Sequence, residues 1–202
     1  MSKLILSIET STNICSVGLF RDYESIILKE DTKKQHSSLL AIYVDSVFRE
    51  SKINKNNIDA ISISIGPGSY TGLRIGLSFA KGMAFCLNKP IIPINTIESL
   101  NKNIKEDNYI IAIHAYGNNY FVQKFEKKMP SKEIKFCSID NLKNDYKIYG
   151  YNENNVNDLK LLEPSASKIA YQAIKNYDDY IIEDIKLIKP NYINPIDFKD
   201  NS

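Results

Sequence analysis

The stretch from Ile58 to Leu87 constrains the fold of this chain more strongly than any other part of the sequence. Residues 58–65 (IDAISISI) alternate between apolar and polar side chains, a pattern typical of a strand. A turn follows at once, formed by Gly66, Pro67, Gly68 and Ser69. Apolar residues then recur at helical spacing from 71 to 87. A strand, a glycine turn and a long helix in direct succession predict a mixed α/β fold.

The glycine turn has two interpretations. Glycine adopts backbone angles that are closed to other residues, and Ser69 or Thr71 can cap the helix that follows. A turn of this kind also presents backbone N–H groups that can bind a phosphate. No Lys followed by Ser or Thr stands at the spacing of a P-loop. The structural interpretation is therefore favoured, and phosphate binding is the alternative.

Small residues recur along the helix at 71–87. They stand at every fourth position, on one helical face, as Gly72, Gly76, Ala80 and Ala84. With the larger apolar residues they give an arc of roughly 220 degrees, far wider than the stripe of roughly 100 degrees on a helix that packs against one surface. We therefore predict that this helix packs on its own sheet and also on another protein. Burial of the whole helix inside this one chain is the alternative.

The remaining elements of the first half follow from the same patterns. They are strands at 4–10, 15–20 and 25–29, a helix after 35 and, beyond the long helix, a strand at 90–94 and a helix at 96–105. Thr32 and Gln35 fit a capping box at the start of the first helix, whose apolar face includes Leu40 and Val44. Three strands in a meander, followed by alternating helices and strands, match a ribonuclease-H-like lobe.

The second half begins where the composition changes, near residues 101–108 (NKNIKEDN). Its predicted elements are strands at 109–113, 120–125 and 134–136 and a helix at 165–176. Pro190 and Pro195 indicate an extended tail. We therefore divide the chain into an N-terminal lobe at 1–104, which carries the partner-binding helices, and a reduced C-terminal lobe with the tail at 105–202.

Charge and hydropathy exclude two classes of protein. The chain of 202 residues has 26 basic and 24 acidic residues, which is too balanced for a protein that binds nucleic acid by itself. No apolar stretch reaches the roughly 18 residues of a membrane helix, and the first residues do not fit a signal peptide. We therefore expect a cytoplasmic protein.

Candidate catalytic residues are few. The two histidines, His36 and His114, are far apart, and Leu40 stands where a second histidine would complete a metal-binding pair on the helix with His36. No serine stands in a nucleophile-elbow pattern. Glu9, at the end of the first strand, has two open interpretations: it assists a magnesium-bound phosphate, or it is a surface turn residue.

Several motifs of the first half together resemble the TsaB family, also called YeaZ. They are 8–12 (IETST), 15–19 (CSVGL), the helix start at 36–40 (HSSLL), 66–76 (GPGSYTGLRIG) and 80–84 (AKGMA). The likeness is strong to about residue 100 and weak beyond it. It implies an α/β fold made of two ribonuclease-H-like lobes of the actin-like ATPase superfamily, the second lobe being reduced.

The resemblance also implies a function. TsaB proteins bind the catalytic subunit TsaD through two helices of the N-terminal lobe, the ATPase TsaE joins them, and the complex transfers a threonylcarbamoyl group to an adenosine in tRNA. The TsaB subunit is non-catalytic and holds no metal or other cofactor. TsaD-like proteins carry paired histidines where His36 and Leu40 stand here. The superfamily's phosphate loop has Asp and Gly where Glu9 and Ser11 stand here.

We therefore expect a non-catalytic subunit that binds TsaD and TsaE, reaches tRNA only through the complex, and forms a homodimer when alone. The predicted partner interface comprises Leu40, Val44, Gly72, Ile75, Gly76, Phe79, Ala80 and Met83. The alternative is an ATP-binding phosphotransferase or ATPase, in which Glu9 and the turn at 66–69 hold nucleotide and magnesium. A peptidase is a third interpretation, which no set of nucleophile, base and metal ligands supports.

Overall fold

A computed structural model of the chain describes residues 2–33, 35–102, 104–142, 146–152 and 159–193. It contains two compact units, one made of Met1–Lys102 and Glu163–Asn191 and the other of Asn103–Leu162 and Tyr192–Ser202. This division differs from the predicted lobes at 1–104 and 105–202, because Glu163–Asn191 belongs to the first unit, where α4 packs on the first sheet. The predicted mixed α/β architecture is confirmed.

The first unit is built on a five-stranded sheet. Its strands are β1 (Leu4–Glu9), β2 (Cys15–Arg21), β3 (Glu24–Asp31), β4 (Ala60–Gly66) and β5 (Ile91–Asn95). Their order across the sheet is β3-β2-β1-β4-β5. The meander β1 to β3 is antiparallel, whereas β1, β4 and β5 run parallel. The helices are α1 (His36–Ser51), α2 (Tyr70–Leu87), α3 (Thr96–Leu100), α4 (Ala166–Lys175) and α5 (Tyr177–Tyr180).

Helices cover both faces of this sheet. Alternate residues of β1, including Leu6 and Ile8, pack with α1 and α2 in one cluster. Ile5 points to the opposite face and packs with Ile169 of α4 in a second cluster. A strand covered on both faces has no solvent-exposed side, which explains why β1 is mostly apolar in the sequence, with only Ser7 and Glu9 as polar residues. Each fully buried Leu or Ile contributes roughly 1.5–3 kcal/mol.

The helix boundaries agree with the sequence signals only in part. Ser69 caps α2 as predicted, since its side chain accepts a hydrogen bond from the Gly72 N–H. The predicted capping box before α1 is wrong, because Gln35 is the N-cap and no side chain caps that end. The helix α3 ends at Leu100, earlier than predicted, and Asn95 caps its start.

In the part of the second unit that the structure describes, the strands form a six-stranded mixed sheet. Its strands are β6 (Tyr109–Tyr116), β7 (Asn119–Glu126), β8 (Met129–Pro130), β9 (Lys135–Ser138), β10 (Lys147–Tyr151) and β11 (Leu159–Leu161). The order is β11-β10-β6-β7-β8, and β9 also pairs with β7. The three predicted strands are confirmed as β6, β7 and β9, whereas β8, β10 and β11 were not predicted. Ile110 and Val122 are central to its core.

The segment after α5 returns to the first sheet. Ile182 forms an isolated bridge with Ile91 of β5, and the Asn191 N–H donates to the Ile65 carbonyl oxygen at 2.7 Å. Residues 188–193 contain no helix or strand, in line with the predicted extended tail, while Pro195 lies outside the described residues. Within the described part of the chain, none of the helices has the length and hydropathy needed to span a membrane.

Candidate partner-binding site

The glycine turn between β4 and α2 packs against the loop that joins β1 to β2. The Ser69 N–H donates to the Ser11 carbonyl oxygen at 2.6 Å. A Cβ added to Gly68 would come within 2.1 Å of the same oxygen, so this position tolerates no side chain. Gly66 adopts a φ of +103°, a conformation that favours glycine. Close packing therefore accounts for both glycines, as in the structural interpretation of the turn.

The same contacts occupy hydrogen-bond donors that a phosphate would need. The Gly72 N–H donates to Ser69 Oγ at 3.2 Å, and the Ser69 N–H is engaged by Ser11. A phosphate at a helix N-terminus is held chiefly by free N–H groups of the first turn. Two such groups are already satisfied here, which disfavours the phosphate interpretation.

Glu9 lies inside the unit at the end of β1. Its Oε1 accepts hydrogen bonds from the Ser11 N–H and, at 3.1 Å, from Ser64 Oγ. Loss of hydration on burial raises the pKa of the carboxyl group to about 6, although these hydrogen bonds oppose the shift. The interpretation of Glu9 as a surface turn residue is wrong, because its side chain is 0% exposed. The described residues also contain no cluster of three or more His, Cys, Asp or Glu side chains arranged for a metal ion.

His36 is a packed residue at the start of α1. Its Nε2 lies 2.7 Å from the Thr12 carbonyl oxygen, and the side chain is buried against the same β1–β2 loop. Leu40, one turn later, is in the hydrophobic core. The second histidine, His114, is in the other unit, where its Nε2 contacts the Gly117 carbonyl oxygen at 2.9 Å.

The small residues of α2 contact this chain and not the solvent. The Thr10 hydroxyl donates to the Gly72 carbonyl oxygen at 2.9 Å. A Cβ added to Gly72 would lie 2.1 Å from the Thr10 carbonyl oxygen, and one added to Gly76 would lie 2.1 Å from Thr10 Oγ1. Ala80 is 0% exposed. The prediction that Gly72, Gly76 and Ala80 form the contact line to a partner is therefore corrected: these residues let α2 approach its own sheet. We call this side, with Ala84, the inner face of α2.

The other predicted interface residues divide into two groups. Leu40 and Val44 are buried in the core beneath α1, so they support the helix and are not available to a partner. Ile75, Phe79 and Met83 are partly exposed and pack against the edge of the core. These three keep a place in the candidate site, because part of each side chain is on the surface.

The opposite side of α2 is exposed and contains large apolar residues. Phe85 is 80% exposed, although exposed phenylalanines are uncommon on soluble proteins. On the neighbouring helix α1, Ile42 is 58% exposed. The two helices contact each other and pack on the same hydrophobic core. We define the outer face of α2 as Ile75, Ser78, Phe79, Gly82, Met83, Phe85 and Cys86.

Sequence reasoning missed four members of the outer face, namely Ser78, Gly82, Phe85 and Cys86. The sequence predicts a wide apolar arc on this helix, but its spacing does not reveal that the side with Gly72, Gly76 and Ala80 is buried within the chain. The signal that could have found these residues is Gly82, since it is a glycine in the middle of a helix and lies off the line of Gly72 and Gly76.

A comparison with known protein families matches this region. The family model "TsaD: tRNA N6-adenosine threonylcarbamoyltransferase" covers residues 25–130, just over half of the 202 residues. The match includes the whole of α1 and α2.

Individual relatives agree with this match. The chain is 33% identical to the tRNA threonylcarbamoyladenosine biosynthesis protein TsaB of Haemophilus influenzae over 132 residues, which are 63% of this chain and 56% of that protein. It is 37% identical to the tRNA N6-adenosine threonylcarbamoyltransferase of Prosthecochloris aestuarii over 89 residues, which are 44% of this chain and 26% of that enzyme. The matched segment therefore spans little more than half of the first relative and about a quarter of the second.

A solved structure with a similar fold is YeaZ from Pseudomonas aeruginosa. The TM-score is 0.73 at 20% sequence identity, and the alignment covers 93% of this chain and 100% of that one. At this identity the likeness concerns the fold, and it extends over both units of the chain.

Proposed function

Because this chain belongs to the TsaB/YeaZ family of the actin-like ATPase superfamily, we propose that it is a non-catalytic subunit for the biosynthesis of threonylcarbamoyladenosine in tRNA. In this proposal it binds a TsaD-type catalytic subunit through the outer face of α2 and the adjoining side of α1. The ATPase TsaE joins the two subunits in the cytoplasm, and tRNA reaches this chain only through the complex.

The observation that carries the proposal is the apolar surface on α1 and α2. Phe85 and Ile42 are 80% and 58% exposed, and Ile75, Phe79 and Met83 are partly exposed on the same helix as Phe85. An apolar surface of this kind marks an interaction site, because its burial by a partner removes apolar area from water at roughly 25 cal/mol per Å².

The kind of partner follows from the family match. The TsaD family model covers both helices, so a TsaD protein has a lobe of the same kind with its own pair of helices. Two homologous surfaces can pair about an approximate two-fold axis, each helix pair contacting the other. The same geometry allows two copies of this chain to pair, so we expect a homodimer when TsaD is absent.

The residues around the β1–β2 loop support the proposal that the chain is non-catalytic. His36 is buried against Thr12, and Leu40 occupies the position one turn later. The side chain of Glu9 is 0% exposed and its Oε1 accepts hydrogen bonds from Ser11 and Ser64, so the carboxylate does not reach a hydrated metal ion at the surface. These contacts support a structural role for residues that would bind metal or nucleotide in an enzyme of this superfamily.

The alternative of an ATP-binding phosphotransferase is weakened by the same contacts. The N–H groups of Ser69 and Gly72 are engaged within the chain, so the turn offers fewer donors to a phosphate. Calorimetric titration of the isolated chain with magnesium ATP separates the two functions. We expect no binding at micromolar concentrations, and micromolar binding would favour the phosphotransferase.

Co-purification tests the proposed partner. A tagged chain is mixed with the TsaD protein of the same organism, and the Phe85→Asp variant is compared with Lys175→Asp, an exposed substitution on α4. We expect Phe85→Asp to weaken binding about 30-fold or more, since it removes an apolar contact and buries a charge. Lys175→Asp serves as the matched control and should bind as the wild type does.

A second measurement connects binding to function. Cells depleted of this chain should lose threonylcarbamoyladenosine from their tRNA, as measured by mass spectrometry. The wild type and Lys175→Asp should restore the modification, whereas Phe85→Asp should not. Normal modification in depleted cells would refute the proposed function.

A further inference from the structure

Gly82 is a glycine in the interior of α2 that the fold of this chain does not explain. Glycine in a helix loses more conformational freedom on folding than alanine does, so an interior glycine normally has a specific reason. Gly72 and Gly76 have one, because an added Cβ at either position would lie 2.1 Å from Thr10. A Cβ added to Gly82 would meet nothing within 4 Å.

Two other common reasons for glycine are also absent at Gly82. A left-handed backbone requires a positive φ, and Gly82 is not among the glycines that have one. A helix C-cap is the other frequent place for glycine, but α2 ends at Leu87 and its C-cap is Asn88. Neither backbone conformation nor internal packing therefore accounts for the glycine.

The neighbours of Gly82 form a notch on the outer face of α2. Residues three and four positions away lie beside it on the helix surface. Phe79 and Phe85 are the neighbours at three positions, and Phe85 is 80% exposed. With no side chain between two phenylalanines and nothing within 4 Å of its Cβ position, Gly82 leaves room for a side chain or the backbone of a second helix.

We propose that Gly82 is the position where a helix of the TsaD-type partner approaches α2 most closely. This inference rests on the proposed function and adds the contact that determines the fit. The partner is specified by the family match, because a protein with the same lobe presents an equivalent helix at the same face. Near an approximate two-fold axis, equivalent helices meet closest, and a side chain on either one sets their separation. The glycine is thus retained for the complex, at the expense of the stability of the isolated chain.

The two substitutions Gly82→Ala and Gly82→Leu test this inference, because they change stability and binding in opposite directions. Gly82→Ala should raise the Tm of the isolated chain by about 1–4 °C, since it stiffens the unfolded chain and no atom lies in its way. The same substitution should weaken binding to TsaD about 10-fold, and Gly82→Leu should weaken it about 100-fold or more. Binding is measured by calorimetric titration with the full chain. Lys175→Leu, on α4, controls for an added exposed leucine.

The outcomes separate this inference from the proposed function. If Phe85→Asp abolishes TsaD binding while Gly82→Leu binds as the wild type does, the inference is overturned and the proposed function stands. If the wild-type chain does not bind TsaD, both are overturned. If Gly82→Leu prevents only self-association, a second copy and not TsaD is the close neighbour, which also overturns the inference. Gly82→Ala decides the question by itself should Gly82→Leu fail to fold.

Discussion

Both sides of α2 contain glycine, but the glycines differ in what surrounds them. On the inner face, Gly72 and Gly76 are held against Thr10 with no room for a single carbon atom. On the outer face, Gly82 has open space and Phe85 is exposed to solvent. A small residue therefore has a different role in each of the two environments. It is required for close packing where its own chain fills the space, and it leaves room for the proposed partner where nothing does.

The largest expected effect comes from adding one methyl group to the inner face. Gly72→Ala should lower the free energy of unfolding by about 2–3 kcal/mol, because its Cβ meets the backbone oxygen of Thr10, which cannot rotate away. Gly76→Ala should cost less, since its Cβ meets the Thr10 hydroxyl, the end of a side chain. Urea denaturation of both variants measures the difference.

Equal stability of the inner-face and outer-face alanine variants would contradict this distinction. The outer-face variant Gly82→Ala is the matched control, and it should be as stable as the wild type or more stable. If Gly72→Ala and Gly82→Ala had the same stability, the distinction between the two faces would be wrong.

Removal of the exposed aromatic ring tests the outer face without a partner protein. Phe85→Asp should weaken self-association of the isolated chain about 10-fold or more, because the homodimer would have to bury a carboxylate. Its free energy of unfolding should change by less than about 0.5 kcal/mol, since the ring is 80% exposed. Analytical ultracentrifugation and urea denaturation report the two quantities.

A different pattern would refute this assignment. A dimer of unchanged affinity in Phe85→Asp would mean that another surface causes the self-association. A large loss of stability in this variant would mean that the ring is buried by the chain itself.

The sequence determines some of these features and leaves others open. The order of strand, turn and helix from 58 to 87 could be predicted, because alternation, glycines and helical spacing are local signals. Which surface the small residues of α2 contact could not be predicted, since their regular spacing is compatible with packing on a sheet and with packing on a partner helix. The deciding contact is with Thr10, which is 62 positions before Gly72.

Other errors have the same origin. The return of α4 to the first sheet depends on contacts such as that of Ile169 with Ile5, residues far apart in the chain. The strands β10 and β11 are short and carry few strand signals, so their pairing with β6 supplies most of what defines them. Glu9 is a charged residue at the end of a strand, where sequence alone suggests an exposed turn. Its burial follows from the packing of the surrounding fold.

The pH dependence of stability tests the burial of Glu9, which lies next to the loop that packs on the inner face of α2. Burial raises the pKa of Glu9 to about 6, above its ordinary value of 4.5. Below pH 4.5 the group is protonated in the folded and unfolded states, so it costs nothing. As the pH rises through 6, ionisation of the buried group removes about 2 kcal/mol of stability.

The Glu9→Gln variant isolates this contribution, because glutamine cannot ionise. Between pH 4 and pH 8 the wild type should lose about 2 kcal/mol more stability than Glu9→Gln does. Urea denaturation of both proteins at the two pH values measures the difference. Parallel pH profiles would contradict the burial of this carboxyl group.

The central claim is that the outer face of α2 is covered by TsaD, and Cys86 reports on it directly. Cys86 is an exposed thiol on that face, whereas Cys15 is buried and its pKa is raised to about 12 by loss of hydration. Maleimide labelling of Cys86, followed by mass spectrometry, should slow about 10-fold or more when TsaD is added. A cysteine introduced on α4 by Lys175→Cys should be labelled at the same rate in both conditions. If a complex with TsaD forms and Cys86 is still labelled at its original rate, TsaD binds elsewhere and the account is wrong.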